Sequence, residues 1–207
     1  MAPTRVGIIG LKAVIQQHYT PGTWGLQHLK SLSVSPHYTI VAVCNTTVAS
    51  AQNAINVHNL QNAKAYGNAE DIASDPDVDL VLVCVDVAQR YKLLEPVLRW
   101  KKHAYIEFPA GNDAVEVRKL AELAEEKGVK VVVGAQGRAD PAFTKMRNLV
   151  ADKEIGEVVS TTLTGTIPIV TADGWPHAQT AFLDIKSGIS RARGVLGHGK
   201  HQQQESQ

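Results

Sequence analysis

The chain has 207 residues, a formal net charge of +1, and a composition that is 44% hydrophobic and 20% charged. This balance is ordinary for a globular protein, and the length allows one full domain and part of a second. The near-neutral charge argues against direct binding to nucleic acid or to a membrane surface, and the apolar runs are too short to span a bilayer. The N-terminus has no signal-peptide pattern, so we expect a cytoplasmic protein.

Apolar, β-branched runs alternate with amphipathic helical patterns over most of the chain. The predicted strands are 5–9, 40–44, 80–85, a strand that ends at Glu107, and 130–134. The strands at 5–9, 80–85 and 130–134 are expected to be buried. The predicted helices are 24–34, 47–57, 68–74, 89–101, 113–127 and one that begins at Asp140. This alternation predicts an α/β fold, a doubly wound parallel sheet with helices on both faces.

Capping residues and apolar stripes support several of these helices. Thr47 and Asp113 are predicted N-caps, and Gly128 is a predicted helix end. Positions at helical spacing are expected to face the core. They are Val48, Ala51 and Ile55; Leu93, Leu94, Val97 and Leu98; Val117, Leu120, Ala121 and Ala124; and Phe143, Met146 and Val150.

A change of hydrophobic period near residue 155 predicts a domain boundary. Residues 158–166 alternate as an antiparallel strand would, whereas the preceding strands are continuously apolar. We therefore expect a dinucleotide-type α/β domain over 4–155 and the start of a second, α+β domain over 156–187. Residues 188–207 are polar, contain almost no core-forming side chains and are predicted to be disordered.

The cysteines and histidines do not predict a metal site or a disulfide. Cys44 and Cys84 each close an apolar strand, which favours buried, reduced side chains. The eight histidines lack ligand spacing, so we expect no metal ion.

Candidate binding residues follow the strands, because ligands gather at the carboxyl ends of strands in open α/β sheets. Gly10 fits the first glycine of the G-x-G-x-x-G fingerprint, but Lys12 and Ile15 occupy the next two positions. Either the long loop 11–24 contacts phosphate differently, or phosphate binding is weakened, or Gly10 is only a tight-turn glycine. Asn45 and Thr46 would admit either NAD or NADP after the second strand, or simply belong to a helix cap.

Several motifs occur in a characteristic order along residues 4–187. They are Arg5-Val-Gly-Ile-Ile-Gly-Leu11, Ser35-Pro-His-Tyr38, Asp75-Pro-Asp-Val-Asp79, Tyr105-Ile-Glu-Phe-Pro109, Glu126-Lys-Gly-Val-Lys130, Gly134-Ala-Gln-Gly-Arg138 and Ile155-Gly-Glu-Val158. This series resembles the Gfo/Idh/MocA family of NAD(P)-dependent oxidoreductases, and in particular its fungal branch, which includes the repressor of the galactose regulon. The resemblance implies a Rossmann domain, NAD or NADP as cofactor, and a sugar or polyol ligand.

The resemblance also assigns residues to the cofactor site. It places Gly10 and Leu11 at the phosphate turn, Val85 and Asp86 beside the nicotinamide, and Gln136 and Arg138 on the floor of the site; a surface ion pair is the alternative for Arg138. The family's strand-end Glu-Lys-Pro corresponds here to Glu107-Phe108-Pro109. Since phenylalanine cannot transfer a proton, no catalytic residue is assigned.

The family's second domain is much longer than the residues that follow position 155, so the resemblance implies a C-terminally truncated member. Three functions remain open. They are an NAD(P)-dependent oxidoreductase, a non-catalytic dinucleotide-responsive regulator, and an inactive fragment. A regulator would act through a protein partner or a second copy of the chain, and it could be nuclear.

Overall fold

A computed structural model describes residues 2–14, 24–162 and 164, and within them it forms a six-stranded parallel sheet. The strands are β1 (Thr4–Ile9), β2 (Tyr38–Cys44), β3 (Lys64–Tyr66), β4 (Leu80–Val83), β5 (His103–Glu107) and β6 (Val131–Gly134). The helices are α1 (Trp24–Ser33), α2 (Val48–Val57), α3 (Ala69–Ser74), α4 (Val87–Arg99), α5 (Ala114–Lys127) and α6 (Pro141–Ala151). The strand order β3-β2-β1-β4-β5-β6 is that of a Rossmann fold, which confirms the predicted class.

The central strands are buried on both faces, because each face packs against its own set of helices. Ile8 and Val43 point into a cluster with α1 and α2, whereas Ile9 and Val81 point into a cluster with α3, α4 and α5. Strands covered on both sides need apolar residues at every position. This explains why β4 and residues 6–9 of β1 are uninterrupted apolar runs.

The helix boundaries largely follow the predicted caps. The Thr47 side chain accepts a hydrogen bond from the Ser50 amide at 3.1 Å. Asp113 Oδ1 accepts from the amides of Val115 and Glu116 at 2.8 and 2.9 Å. Gly128 ends α5 with φ +67°, a left-handed conformation that glycine adopts without a steric penalty.

Several expectations about burial are wrong. Val48 and Val117 are 56% and 38% exposed, so the inner faces of α2 and α5 are formed by alanines and longer aliphatic residues further along each helix. The strand predicted over 130–134 is exposed at Val132 and Val133, because little of the described part of the chain packs over either face of β6, the last strand of the sheet. The α6 stripe is likewise exposed at 45–54%.

The structure also adds one strand and leaves one out. The three-residue β3 was not predicted, and it pairs with β2 from Ala42 to Cys44. Residues 158–162 and 164 form no strand, contrary to the prediction for 158–166, whose other residues lie outside the described ranges. Apart from residues 156–162 and 164, the predicted second domain lies outside the described residues, and so does the whole of the predicted disordered tail at 188–207. No helix in the described ranges is long and apolar enough to cross a membrane.

Candidate functional site

The candidate site lies at the carboxyl edge of the sheet, where β1 has β2 on one side and β4 on the other. The chain winds outward in opposite directions from this point, so the loops after β1 and β4 separate and leave a crevice. The predicted binding residues follow β1, β2, β4, β5 and β6 and therefore share this edge.

Gly10 makes the turn that leaves β1. Its φ is +92°, and its amide donates to the Cys44 carbonyl at 2.9 Å. A Cβ at this position would lie 2.6 Å from the Cys84 carbonyl oxygen and 2.8 Å from a methyl group of Val85. Both the backbone conformation and the space therefore require glycine.

Gly25, in the first turn of α1, was missed by the sequence reasoning. A Cβ on Gly25 would lie 2.9 Å from the Gly10 carbonyl oxygen. Gly25 thus allows the close packing of helix against turn that the last glycine of the dinucleotide fingerprint provides. The fingerprint spacing hid it, because 14 residues separate Gly10 from Gly25.

The end of β2 is joined to the Gly10 turn through Asn45. Its side-chain nitrogen donates to the carbonyls of Leu11 at 2.9 Å and Ser50 at 3.1 Å. The Leu11 side chain is fully buried, so only its backbone is available to a ligand. Thr46 is exposed at the rim. The N-cap of α2 is Thr47, as predicted, and neither Asn45 nor Thr46.

Glu107 and Phe108 point in different directions at the end of β5. Glu107 is 4% exposed, and its carboxylate accepts a hydrogen bond from Nε2 of His28 on α1. The His28 ring packs edge-on against Tyr105, with ring centroids 4.8 Å apart. Phe108 is 54% exposed. The side chain that this strand end presents to a ligand is therefore an aromatic ring.

His28 was also missed, because it was counted among scattered histidines. The available signal was its position three residues after Gly25, which places both on one side of α1. Burial, and then the nearby Glu107 carboxylate, raises the pKa of Tyr105 to about 12. Tyr105 therefore remains a neutral phenol beside this pair at neutral pH.

Arg90 of α4 is the third residue that the sequence did not reveal. It is only 7% exposed and lies beneath the loops that leave β4 and β5. Its Nε donates to the Val85 carbonyl at 2.9 Å, and its Nη1 donates to the carbonyls of Glu107, at 2.8 Å, and Pro109. Burial lowers the pKa of the guanidinium, and the Glu107 carboxylate opposes that effect.

The remaining predicted residues surround this arrangement. Val85 is half-buried and Asp86 is exposed at the start of α4, where it makes no capping hydrogen bond within the described residues. Arg138 is exposed and lines an open depression of about 590 Å³ along β6. Gln136 begins a short 3-10 turn, and its side chain lies outside the description. The structure brings these residues to one edge, and their binding roles remain predictions.

The sequence predicts buried, reduced cysteines and no metal ion. Cys44 and Cys84 are free and buried, as predicted. Burial raises the pKa of Cys44 to about 12, so it is protonated at neutral pH. In the described ranges, no cluster of three or more His, Cys, Asp or Glu side chains is arranged to hold a metal ion.

The relatives of this chain include both enzymes and a regulator. It is 33% identical to dehydrogenase aclE of Aspergillus oryzae, over 77% of this chain and 43% of that protein. It is 25% identical to the galactose/lactose metabolism regulatory protein GAL80 of Saccharomyces cerevisiae, over 95% of this chain and 46% of that protein. The chain thus spans less than half the length of these curated relatives.

Structure comparison agrees with the sequence comparison. The crystal structure of a super-repressor mutant of Gal80p from Saccharomyces cerevisiae superposes with a TM-score of 0.67 at 26% identity, covering 75% of this chain and 40% of that chain. Residues 4–135 match the family described as an oxidoreductase family with an NAD-binding Rossmann fold. This chain therefore belongs to the Gfo/Idh/MocA oxidoreductase family.

Proposed function

We propose that the chain binds NAD or NADP across the carboxyl edge of β1, β4 and β5. The observation that carries this proposal is the Gly10–Gly25 contact, which keeps side chains away from the place where a pyrophosphate would approach the backbone. A Cβ on Gly25 would meet the Gly10 carbonyl oxygen, and a Cβ on Gly10 would meet the Cys84 carbonyl oxygen and Val85, so both positions require glycine. The family membership supports the same function.

The Rossmann topology orients the two halves of the cofactor in this proposal. The adenosine half lies toward β2, beside Asn45 and Thr46, and the nicotinamide half lies toward β4 and β5, beside Val85, Asp86 and Phe108. Neither side chain at the end of β2 carries a negative charge that would repel a 2′-phosphate. We therefore expect NADH and NADPH to bind with affinities of the same order.

A nucleotide titration tests this proposal directly. NADH and NADPH are titrated into the full chain while nucleotide fluorescence and calorimetric heat are followed. We expect saturation in the micromolar range or above, because two of the three fingerprint glycines are missing and Lys12 and Ile15 occupy their positions. The absence of a saturable signal for both nucleotides up to millimolar concentration would refute the proposal.

The second candidate function is a dinucleotide-responsive regulator without turnover. Phe108 favours it, because an exposed phenyl ring stands where the resemblance expects the lysine of Glu-Lys-Pro. Bound NAD(P) would supply hydride chemistry, but Phe108 can neither donate nor accept the proton of a sugar or polyol hydroxyl. Loss of general acid–base catalysis alone lowers rates by roughly 10²–10⁴-fold. The similarity to a regulatory protein supports this candidate.

Turnover on a substrate panel separates the two candidates. Aldoses, inositols and galactose derivatives are incubated with the protein and NAD or NADP, and the absorbance of the reduced nicotinamide is followed. We expect no turnover, and we expect Phe108→Lys not to restore it in this 207-residue chain. Robust oxidation or reduction of any member of the panel would favour the oxidoreductase.

A further inference from the structure

Arg90 is a charged side chain in a place where charge is costly. It is 7% exposed on a helix whose other described arginine, Arg99, is exposed and pairs with Glu70 and Glu95. Transfer of a guanidinium out of water is unfavourable unless its donors find partners. In Arg90 those partners are backbone carbonyls of the two loops that border the crevice.

The three acceptors of Arg90 lie on both sides of the gap between β4 and β5. Val85 follows β4, whereas Glu107 and Pro109 end β5 and begin its loop. The β4–β5 ladder extends to the pair Val83 and Ile106. Arg90 continues the connection beyond that pair, so one guanidinium joins two loops where the ladder stops.

We infer that Arg90 is a positioning residue that forms the nicotinamide half of the cofactor site by joining the loops after β4 and β5. This inference rests on the proposed dinucleotide binding. Nε and Nη1 of the guanidinium donate to backbone carbonyls, so through these two nitrogens Arg90 acts on the loops and not on a ligand. It acts by fixing the separation of Val85 and Glu107, and with it the width of the crevice between them.

The position of Arg90 determines which ligands should bind more weakly when its guanidinium is lost. The adenosine and pyrophosphate sites depend on Gly10, Gly25 and the end of β2, and none of these touches Arg90. Loss of the guanidinium therefore weakens ligands that reach the β4–β5 gap and spares those that stop at the pyrophosphate. A purely structural residue would weaken both classes equally.

Two ligands and three variants test the inference. ADP carries only the adenosine and pyrophosphate part of the cofactor, whereas NADH also carries the nicotinamide half. Their dissociation constants are measured for the native chain and for Arg90→Met, Arg90→Lys and Arg99→Met. Arg90→Lys keeps the charge but cannot reach three carbonyls with a planar fork. Arg99→Met removes an exposed arginine from the same helix and is the matched control.

We expect Arg90→Met and Arg90→Lys to weaken NADH roughly tenfold or more, since several charge-assisted hydrogen bonds are lost. The dissociation constant for ADP should stay within about twofold of the native value, because ADP does not reach the nicotinamide half. A tenfold change in the dissociation constant for NADH corresponds to about 1.4 kcal/mol, and we expect this loss only in that half of the site. Arg99→Met should leave both ligands unchanged. Hydrogen exchange should accelerate at residues 84–87 and 107–111 in both Arg90 variants.

Other outcomes would overturn the inference in distinguishable ways. Equal weakening of ADP and NADH, or unchanged NADH binding by a folded Arg90→Lys protein, refutes the positioning role and leaves the proposed function in place. Native protein that binds ADP but binds NADH no more tightly refutes it too. Native protein that binds neither ligand removes the proposed function and the inference together.

Discussion

Replacing Gly25 by alanine tests whether the close approach of α1 to the Gly10 turn governs nucleotide binding. The new methyl group would lie 2.9 Å from the Gly10 carbonyl oxygen and 3.5 Å from Cα of Leu11. Both atoms belong to the backbone, so the overlap is relieved only if the helix or the turn moves. Overpacking of this kind costs about 1–3 kcal/mol. The higher helix propensity of alanine offsets at most about 1 kcal/mol of that cost.

We therefore expect Gly25→Ala to lower the free energy of unfolding by roughly 0–3 kcal/mol, with Tm falling by ~2–4 °C per kcal/mol. Nucleotide affinity should fall more clearly, by roughly tenfold, because the helix moves away from the phosphate position. Gly7→Ala is the matched control. Its methyl group would lie 2.8 Å from the Cδ1 end of the Ile72 side chain, on the opposite face of the sheet. It should lower Tm without changing affinity.

Thermal unfolding and NADH fluorescence titration of the three proteins provide the measurements. Gly25→Ala should lower nucleotide affinity, whereas Gly7→Ala should lower only the stability of the protein. If a folded Gly25→Ala protein binds NADH as tightly as the native chain, the contact with Gly10 is only a packing feature. If Gly7→Ala weakens NADH to the same extent, the loss reflects general destabilisation.

Two further predictions concern Asp75, which follows α3, and the exposed face of α6. Burial raises the pKa of Asp75, but hydrogen bonds from Tyr66, at 2.6 Å, from a backbone amide and from Lys64 outweigh it and leave a lowered pKa. That stabilisation is present above the unfolded-state pKa and is lost as pH falls through the folded-state value, so Tyr66→Phe should cost ~1.5–3 kcal/mol at neutral pH. In urea unfolding, the deficit should shrink in acid, and a constant deficit would contradict this. The exposed apolar stripe of α6, formed by Phe143, Met146 and Val150, predicts that the chain self-associates. Met146→Glu should reduce this self-association in light scattering relative to Asn148→Glu, a control with the same charge change, because Met146 is 54% exposed.

The features that could be predicted from the sequence depend on neighbours in the chain. Thr47 and Asp113 cap helices through amides two or three residues away, and Gly128 ends one through its own backbone conformation. Buried strands were equally accessible, because a strand covered on both faces is apolar at every position. These signals were sufficient for the Rossmann class and for placing Gly10 and Glu107 at the ends of strands.

The features that escaped prediction depend on distant partners. Gly25 matters only because the chain brings it back to Gly10, and Arg90 lies between polar neighbours that gave it the pattern of a surface residue. β6 was expected to be buried because its residues are apolar. An apolar composition indicates that a strand tends to be buried, but it does not indicate whether another element covers a given face of the strand. The exposed Val132 is the result.

The end of β5 has features that could be predicted from the sequence and features that could not. Its position at the carboxyl edge of the sheet follows from the order of strands, whereas the burial of Glu107 follows from contacts with His28 of α1 and Arg90 of α4. The Glu107 side chain is held by His28 and its carbonyl by Arg90, so this residue serves the framework of the crevice. Phe108, next in the chain, is left facing outward. The family motif that the sequence resembles has a proton-transferring lysine at this position, whereas the exposed side chain here is an aromatic ring that cannot transfer a proton.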